Sequence, residues 1–286
     1  GNGHDLRRLE RPNRLTRVGR ILMSSREMTM EIKNRQDCTE QPKAVIERAR
    51  SVLILTGAGI SAESGVPTFR GGGGAAVWRG IPFEELSSAD MVEKNLPLVW
   101  EWFDYRRGVV NGCEPNAGHL AIAEVQQSGR FEEFTLVTQN IDGLHRSAGS
   151  QDIIELHGDI HKARCLSCGS LQALDDIGDD ERPPVCSECF DSMRPHVVLF
   201  GEALDEDALL MAYERAAACD VCIVVGTSAQ VYPALHIPMI AKRNGAFLIE
   251  VNLEETPLTS KADVSLFGKA GEILPLLLRI NNDDNK

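Results

Sequence analysis

The chain has 286 residues, 43% of them apolar and 25% charged, and a formal net charge of −12. That size buries one large core or two modest ones, and that composition excludes low-complexity disorder. The longest apolar runs, such as Val221–Val225 and Leu274–Leu278, fall far short of the about 20 residues a membrane-spanning helix needs, and the acidic balance disfavours nucleic-acid binding.

The N-terminus runs against that balance. Arg7, Arg8, Arg11, Arg14, Arg17, Arg20 and Arg26 stand against Asp5 and Glu10, a local charge of +5 that leaves −17 for the rest of the chain. No apolar stretch of the secretory kind accompanies them. The segment reads as an upstream extension ahead of a start at Met23, Met28 or Met30, or as an Arg-rich, acid-poor transit peptide. Residues 1–40 are therefore set apart from the fold. The cytoplasm is the default location, an organelle matrix the alternative.

Beyond residue 40, short apolar runs alternate with helical patterns. Strand-length runs lie at Ser51–Thr56, Phe134–Thr138, Asp152–Leu156, Val197–Phe200, Val221–Val225 and Phe247–Val251. They are nearly all apolar, as in strands covered on both faces. Helices are predicted at Ala117–Gln127 from its spacing of apolar residues, at Asp205–Ala218 behind its leading acids, and at Pro233–Lys242 behind its proline. The alternation predicts an α/β fold with a doubly wound parallel sheet. Two segments interrupt it. Gly71–Pro115 carries all three tryptophans (Trp78, Trp100, Trp102), and Gly158–Pro195 carries four cysteines. Both are expected to be insertions packed together on one side of the sheet. Asn281–Lys286 is a polar tail.

The first strand runs into Gly57-Ala58-Gly59-Ile60-Ser61-Ala62, the G-x-G-x-x-G/A pattern of dinucleotide-binding turns. Gly57 permits the turn, Gly59 lets backbone approach a pyrophosphate, and Ala62 permits close packing. A Rossmann helix would follow in a hydride-transfer enzyme. Here Gly65 and Pro67 break it within Ser64–Arg70, which makes the first crossover a loop able to fold over a ligand. Arg70 is a candidate phosphate partner or a surface ion pair. Gln139-Asn140-Ile141-Asp142 ends the second strand, with groups able to bind a carboxamide and a ribose, or with Asp142 capping a helix. His157 ends the third, a candidate general base. Gly226-Thr227-Ser228 and Asn252-Leu253-Glu254 end two more strands, where ligands bind in open α/β sheets.

Cys165-x2-Cys168-x17-Cys186-x2-Cys189 has the spacing of a closed, tetrahedral structural zinc site, with two disulfides as the weaker alternative. Cys219-x2-Cys222 spans a helix end and a strand start and is read as core packing. Cys38 and Cys113 are assigned nothing.

Taken together, these pieces resemble the sirtuin family of NAD-dependent protein lysine deacylases. The matching stretches are Gly57–Ser61, Gly65–Arg70, Thr138–Asp142, His157-Gly158, the four cysteines, Arg194–Val198 with Phe200-Gly201-Glu202, Gly226–Ser228 and Asn252, in family order over about residues 43–280. The resemblance implies a large Rossmann-type NAD-binding domain (41–72, 116–157 and 196–280). It also implies a small domain built from a helical part (73–115) and a zinc-binding part (158–195). NAD is consumed as co-substrate, the acyl oxygen attacks C1′ of the nicotinamide ribose, and the products are nicotinamide, O-acyl-ADP-ribose and free lysine. His157 matches the family's general base and Asn140 the second catalytic position. Gly57, Ala58, Gly59, Ser61, Thr68, Phe69, Arg70, Gln139, Asn140, Ile141, Asp142, Gly226, Thr227, Ser228, Asn252, Glu254 and Ala270 match the NAD side. Val197, Phe200 and Gly201 match the edge to which substrate peptide adds as a strand.

Within the family the chain is similar to class III, which includes desuccinylases and demalonylases. That branch pairs a tyrosine with an arginine three residues on to hold a distal carboxylate. Arg106 matches the arginine, but Phe103 stands at the tyrosine position. Losing that phenol removes a hydrogen bond to a charged group, about 1.5–3 kcal/mol, so acetyl is the expected acyl group, with succinyl, malonyl or longer aliphatic groups as the alternatives. Tyr105, two residues on, points to another side of a helix. The rival readings are mono-ADP-ribosyl transfer, NAD hydrolysis or sensing in the same pocket, and a non-catalytic zinc-ribbon binder. A monomer acting on acyl-lysine proteins is expected, without nucleic acid or membrane.

Overall fold

A computed structural model describes residues 39–68, 77–177 and 182–279. Helix α1 (39–48) leads into β1 (Ser51–Thr56), which is buried from Val52 onward. The one-turn helix α2 (Ala58–Ala62) follows. A hairpin of β2 (Val77–Trp78) and β3 (Ile81–Pro82) precedes α3 (Phe83–Leu86) and α4 (Ala89–Val110). Helix α4 breaks at Asn95 (φ −156°), shortly before Pro97. Proline has no N–H to continue a helix, and Asn95 Oδ1 accepts Leu98 N–H at 3.1 Å to restart it.

Next come α5 (Ala117–Gln127), β4 (Glu133–Thr138), α6 (Leu144–Ser147) and β5 (Ile153–Glu155). Strands β6 (Gly158–Cys165) and β7 (Leu171–Ala173), helix α7 (Leu174–Ile177) and β8 (Met193–Val197) form the cysteine-bearing part. The chain closes with α8 (Glu206–Ala218), β9 (Val221–Val225), α9 (His236–Arg243), β10 (Phe247–Asn252), β11 (Val264–Phe267) and α10 (Ala270–Leu278).

Six strands make one parallel sheet in the order β11-β10-β9-β1-β4-β5. From β1 the chain moves outward on one side through β4 and β5, then returns to the other side for β9, β10 and β11. This is the doubly wound order, with its switch point between β1 and β9. The strand period of two divides the core. Val52 and Ile54 face Ile46, Ile122, Ile273 and Leu274 of α1, α5 and α10. Leu53 and Leu55 face Ala212, Ala216 and Ile237 of α8 and α9.

A second, antiparallel sheet has the order β7-β6-β8. Helix α4 packs on it through Trp100, fully buried among Ala163, Cys186 and Met193, with its indole N–H donating to Met193 O at 2.8 Å. The neighbouring residues Trp102 and Phe103 pack with Ile141, Ile160, Val197 and Leu199. The two insertions thus share a core that reaches the parallel sheet through Ile141.

Several boundaries differ from expectation. Val197–Phe200 is predicted as a strand, yet pairing ends at Val197, and β8 runs Met193–Val197 in the small sheet. Pro195 is tolerated because β8 is an edge strand. Residues 198–200 stay extended through separate partners: Val198 N–H donates to His157 O and Phe200 N–H to Ser87 O. Helix α9 begins at His236 and not at Pro233. Asp205 is the cap of α8, its carboxylate accepting Ala208 N–H at 2.8 Å. Strand β11 has no predicted counterpart, since Ser265 interrupts its apolar run. Residues 39 and 40 belong to α1, and Thr39 is buried, so the extension ends sooner than expected. Expectations placed on residues 1–38, 69–76 and 280–286, Phe69 and Arg70 among them, lie outside the described residues. No helix of the described residues is long and apolar enough to cross a membrane.

Candidate active site

In a parallel sheet all C-terminal strand ends open on one edge. Here Gly57, Gln139–Asp142, Gly226–Ser228 and Asn252 line that edge across β1, β4, β9 and β10. The turns are tied sideways. Gln139 N–H donates to Thr56 O at 2.9 Å, and Gly226 N–H to Val251 O at 2.9 Å. Asn252 Nδ2 donates to Thr227 O at 2.8 Å, and Gln139 Nε2 to Thr227 Oγ1 at 3.2 Å.

The glycine turn after β1 is tied to the end of β9. Gly57 N–H donates to Val225 O at 2.9 Å and Gly59 N–H to Gly226 O at 2.7 Å. A Cβ on Gly59 would sit 2.7 Å from Gly226 Cα, and one on Gly226, whose φ is +61°, would sit 2.4 Å from Ile60 N. Two glycines meet face to face, which is how the turns after β1 and β9 come together at the switch point.

Behind this edge lies a buried polar network. Asn140 Nδ2 donates to Gly57 O and to Ser61 Oγ, each at 3.1 Å. His119 Nδ1 accepts Asn116 N–H at 3.3 Å, which places the ring proton on Nε2, 3.4 Å from Ser61 Oγ. Ser61 Oγ therefore accepts two bonds and turns its own proton to the Asp142 carboxylate. Asp142 also accepts Leu144 N–H at 3.0 Å across the turn; the cap of α6 is Gly143 and not Asp142 as the sequence suggested. Burial pushes its pKa above the ordinary carboxylate value, against the bonds from Leu144 and Ser61. His145 lies 4.8 Å from His119, ring edge to ring face. Burial pushes His119 down to about 4 and His145 to about 3, so both are neutral near pH 7.

His157 Nδ1 lies 2.8 Å from Gln139 O. A carbonyl only accepts, so Nδ1 carries the proton and Nε2 keeps a free lone pair. Burial lowers its pKa below 6.5, opposed by that bond. Next to it, the stretch Val197–Glu202 is pinned from below. Arg194, 5% exposed, pairs with both oxygens of Glu202 and donates to Val197 O at 2.9 Å. Glu202 Oε2 also accepts Leu199 N–H at 2.8 Å. On this shelf Phe200 is exposed, its ring 5.8 Å from Phe83, and Gly201 turns the chain at φ +90°.

Phe103 is 1% exposed, a core ring and not an open wall. Arg106 is half-buried, with its guanidinium 5.4 Å from the Phe103 ring and 5.7 Å from Trp102. Burial pushes its pKa down to about 10, with Asp142 opposing, and it stays charged at neutral pH. Tyr105 is exposed and stacks on Trp102 at 5.9 Å, away from Phe103. Among the other expected site residues, Ile141 is turned into the α4 cluster, Glu254 is exposed, and Ala270 is buried at the start of α10. Ala58, Thr68 and Ser228 are half-buried.

The Sγ atoms of Cys165, Cys168, Cys186 and Cys189 lie within 4.8 Å of one another. The cross-knuckle pairs are 3.3 Å (Cys165–Cys189) and 3.7 Å (Cys168–Cys186) apart. These spacings are too long for disulfides, which need about 2.05 Å. They suit four thiolates about 2.3 Å from one tetrahedral zinc, roughly 3.8 Å from each other. Ser167 and Cys168 aim their N–H groups at Cys165 Sγ, which favours the thiolate. The donor set fits zinc. Cys219 and Cys222 are buried in the core beside α8, with thiol pKa values raised by burial.

The model of the Sir2 family matches residues 57–233. The chain belongs to the Sir2 family. NAD-dependent protein deacylase 2 of Pyrobaculum aerophilum is 47% identical over 234 residues, 82% of this chain and 92% of that one. The crystal structure of a Sir2 homolog–NAD complex superposes with a TM-score of 0.77 at 42% identity, covering 84% of this chain and 92% of that one. A Sir2 complex with deacetylated p53 peptide and 3′-O-acetyl ADP-ribose superposes at 0.73 and 30% identity, over 84% and 97%. Sequence reasoning singled out Ser61 and Asn140 and included Thr138 in a matching stretch without giving it a role, but missed Thr56, His119 and His145. The signal for His119 was its place three residues after the cap Asn116, where a side chain reaches back.

Proposed function

We propose that this Sir2-family protein is an NAD-dependent protein lysine deacylase. The observation that carries it is a neutral imidazole, His157, held by Gln139 O at 2.8 Å with its Nε2 lone pair free, beside an edge of neutral amides and hydroxyls at the switch point. Ribose hydroxyls and a carboxamide call for such neutral donors and acceptors, so the residues fit a dinucleotide. NAD supplies an activated ribose carbon: its bond to nicotinamide breaks as the acyl oxygen of lysine bonds to C1′. With NAD bound, His157 would take a proton from the ribose hydroxyl as that oxygen bonds to the acyl carbon; the carbon–nitrogen bond to lysine would then break, lysine leaving as the free amine, and water would add to the acyl carbon to leave O-acyl-ADP-ribose. Asn140, with Asp142 and Ile141, orients the nicotinamide side. Gly57, Ala58, Gly59, Ser61, Thr68, Phe69, Arg70, Gln139, Gly226, Thr227, Ser228, Asn252, Glu254 and Ala270 serve the rest of the dinucleotide. Val197, Phe200 and Gly201 receive the peptide as an added strand. The four cysteines hold one structural zinc.

In the same reading the six-stranded sheet and its helices are the NAD domain, while residues 73–115 and 158–195 are the small domain. Arg106 supplies a charge beside the acyl group with Phe103 packed beneath it, so acidic acyl groups join acetyl as substrates. The protein works as a cytoplasmic monomer on acyl-lysine proteins, without nucleic acid, consistent with its charge of −12.

The test mixes the protein with NAD and one peptide carrying acetyl, succinyl or long-chain acyl-lysine, and follows nicotinamide and peptide mass. Loss of acyl only with NAD, abolished in His157→Ala, is the expected result. Nicotinamide without acyl loss overturns it in favour of ADP-ribosyl transfer or NAD hydrolysis.

A further inference from the structure

We propose that His145 is a positioning residue of the active site, which fixes the Asn140 turn through the hydroxyls of Thr56 and Thr138. The kinetic side of this inference rests on the deacylase reading.

Asn140 N–H donates to Thr138 Oγ1 at 3.0 Å. Thr138 Oγ1 lies 2.9 Å from Thr56 Oγ1, which lies 2.9 Å from His145 Nε2. Thr56, Thr138 and His145 are 0%, 3% and 2% exposed, so solvent does not substitute for any link. The direction follows from proton counting. His145 Nδ1 has no partner. Were the ring proton on Nδ1, a buried N–H would stand unmade, which is rarer than a bare acceptor. The proton therefore sits on Nε2 and is donated to Thr56 Oγ1. Thr56 passes its own proton to Thr138, and Thr138 Oγ1 faces the Asn140 amide as acceptor. A hydroxyl that could rotate is thereby locked as acceptor under Asn140.

Packing alone does not account for the imidazole. A residue needed only to fill this place would be apolar, because a buried ring nitrogen without a partner is destabilising. The His119 ring at 4.8 Å braces the His145 ring, and the Asn140 side chain carries the constraint on to Gly57 O and Ser61 Oγ. His145 touches neither the peptide shelf nor the edge itself; it acts through the turn that holds Asn140.

The experiment compares His145→Phe, His145→Gln, Thr56→Val and the His145→Phe/Thr56→Val double variant in the full chain. Steady-state kinetics on NAD and an acetyl-lysine peptide are followed together with thermal unfolding. His145→Phe and Thr56→Val should each lower kcat about tenfold, about 1.4 kcal/mol, with KM for peptide unchanged. The double variant should be no slower than the slower single one, and the amide N–H of His145→Gln should restore kcat to within about threefold. Multiplying effects, a Gln variant as slow as Phe, or unchanged kcat overturns the proposal. A ¹⁵N spectrum at pH 7 provides a readout independent of activity. The Nε2–H tautomer at His145, with its proton sheltered from exchange and released in Thr56→Val, is expected; the Nδ1–H tautomer overturns the relay. Wild-type protein that releases no nicotinamide sinks the deacylase reading instead. The relay is then judged on that spectrum and on a weakened NAD affinity of His145→Phe by calorimetry.

Discussion

Gly59→Ala isolates the contact that builds the switch point. The added methyl would lie 2.7 Å from both Gly226 Cα and Gly226 O, about 1 Å inside an ordinary carbon contact. Both obstacles are backbone, so no side chain can swing away and the turns after β1 and β9 must separate. Overpacking of this kind costs about 1–3 kcal/mol. Losing the Gly59 N–H bond to Gly226 O, 2.7 Å long, adds about 1 kcal/mol. Alanine's better helix propensity in α2 returns less than about 1 kcal/mol. The net expectation is a loss of about 1–4 kcal/mol in guanidinium unfolding, with weakened NAD binding. The control is Gly108→Ala, in α4, where the new Cβ meets nothing within 4 Å; it should gain about 0.5–1 kcal/mol. A Gly59→Ala protein within about 0.5 kcal/mol of wild type would refute the claim that glycine is required there by its neighbour.

Acid should unfold the protein through its buried imidazoles. His119 and His145 titrate at about 4 and about 3 when folded and near 6.5 when unfolded, so the unfolded chain binds more protons in between. Stability is then fully present above about pH 6.5 and falls below it by up to about 1.4 kcal/mol per pH unit for each ring. A guanidinium midpoint that is flat from pH 7 to 4 contradicts this burial. The acyl-transfer rate should hold through neutral pH and decline only on the acid side, below the ordinary imidazole range, as His157, lowered by burial, gains its proton; a decline on the alkaline side alone would remove it as the base. Arg106→Met should cut kcat/KM on a succinyl peptide about 10–100-fold relative to acetyl, and an unchanged ratio would exclude Arg106 from the acyl site. One zinc per chain should be found by metal analysis, with cobalt substitution giving tetrahedral thiolate bands. Cys186→Ser, at a fully buried ligand, should lose both along with the fold of β6–β8.

Local sequence was enough wherever a residue's role is decided by near neighbours. The apolar runs of β1, β4, β9 and β10, the helix Ala117–Gln127 and the two CxxC knuckles were all legible, because burial pattern and chelate spacing are short-range properties. The strand ends also marked the edge, since parallel strands must carry their loops to one side. What needed the tertiary structure were pairings between distant turns. The spacing of Gly57 and Gly59 speaks of a phosphate, but only the tertiary structure shows their amides bonded to Val225 at the end of β9 and to Gly226 just after it. Val197–Phe200 has strand composition, but its partners His157 and Ser87 lie far away in sequence. The network around Ser61 and Asn140 draws hydroxyls and imidazoles from β1, β4, α5 and α6. A lone buried threonine or histidine carries no sequence signal of its partner: its hydrogen bonds are set by sheet order and register, which bring β1 beside β4 and fix which polar groups meet.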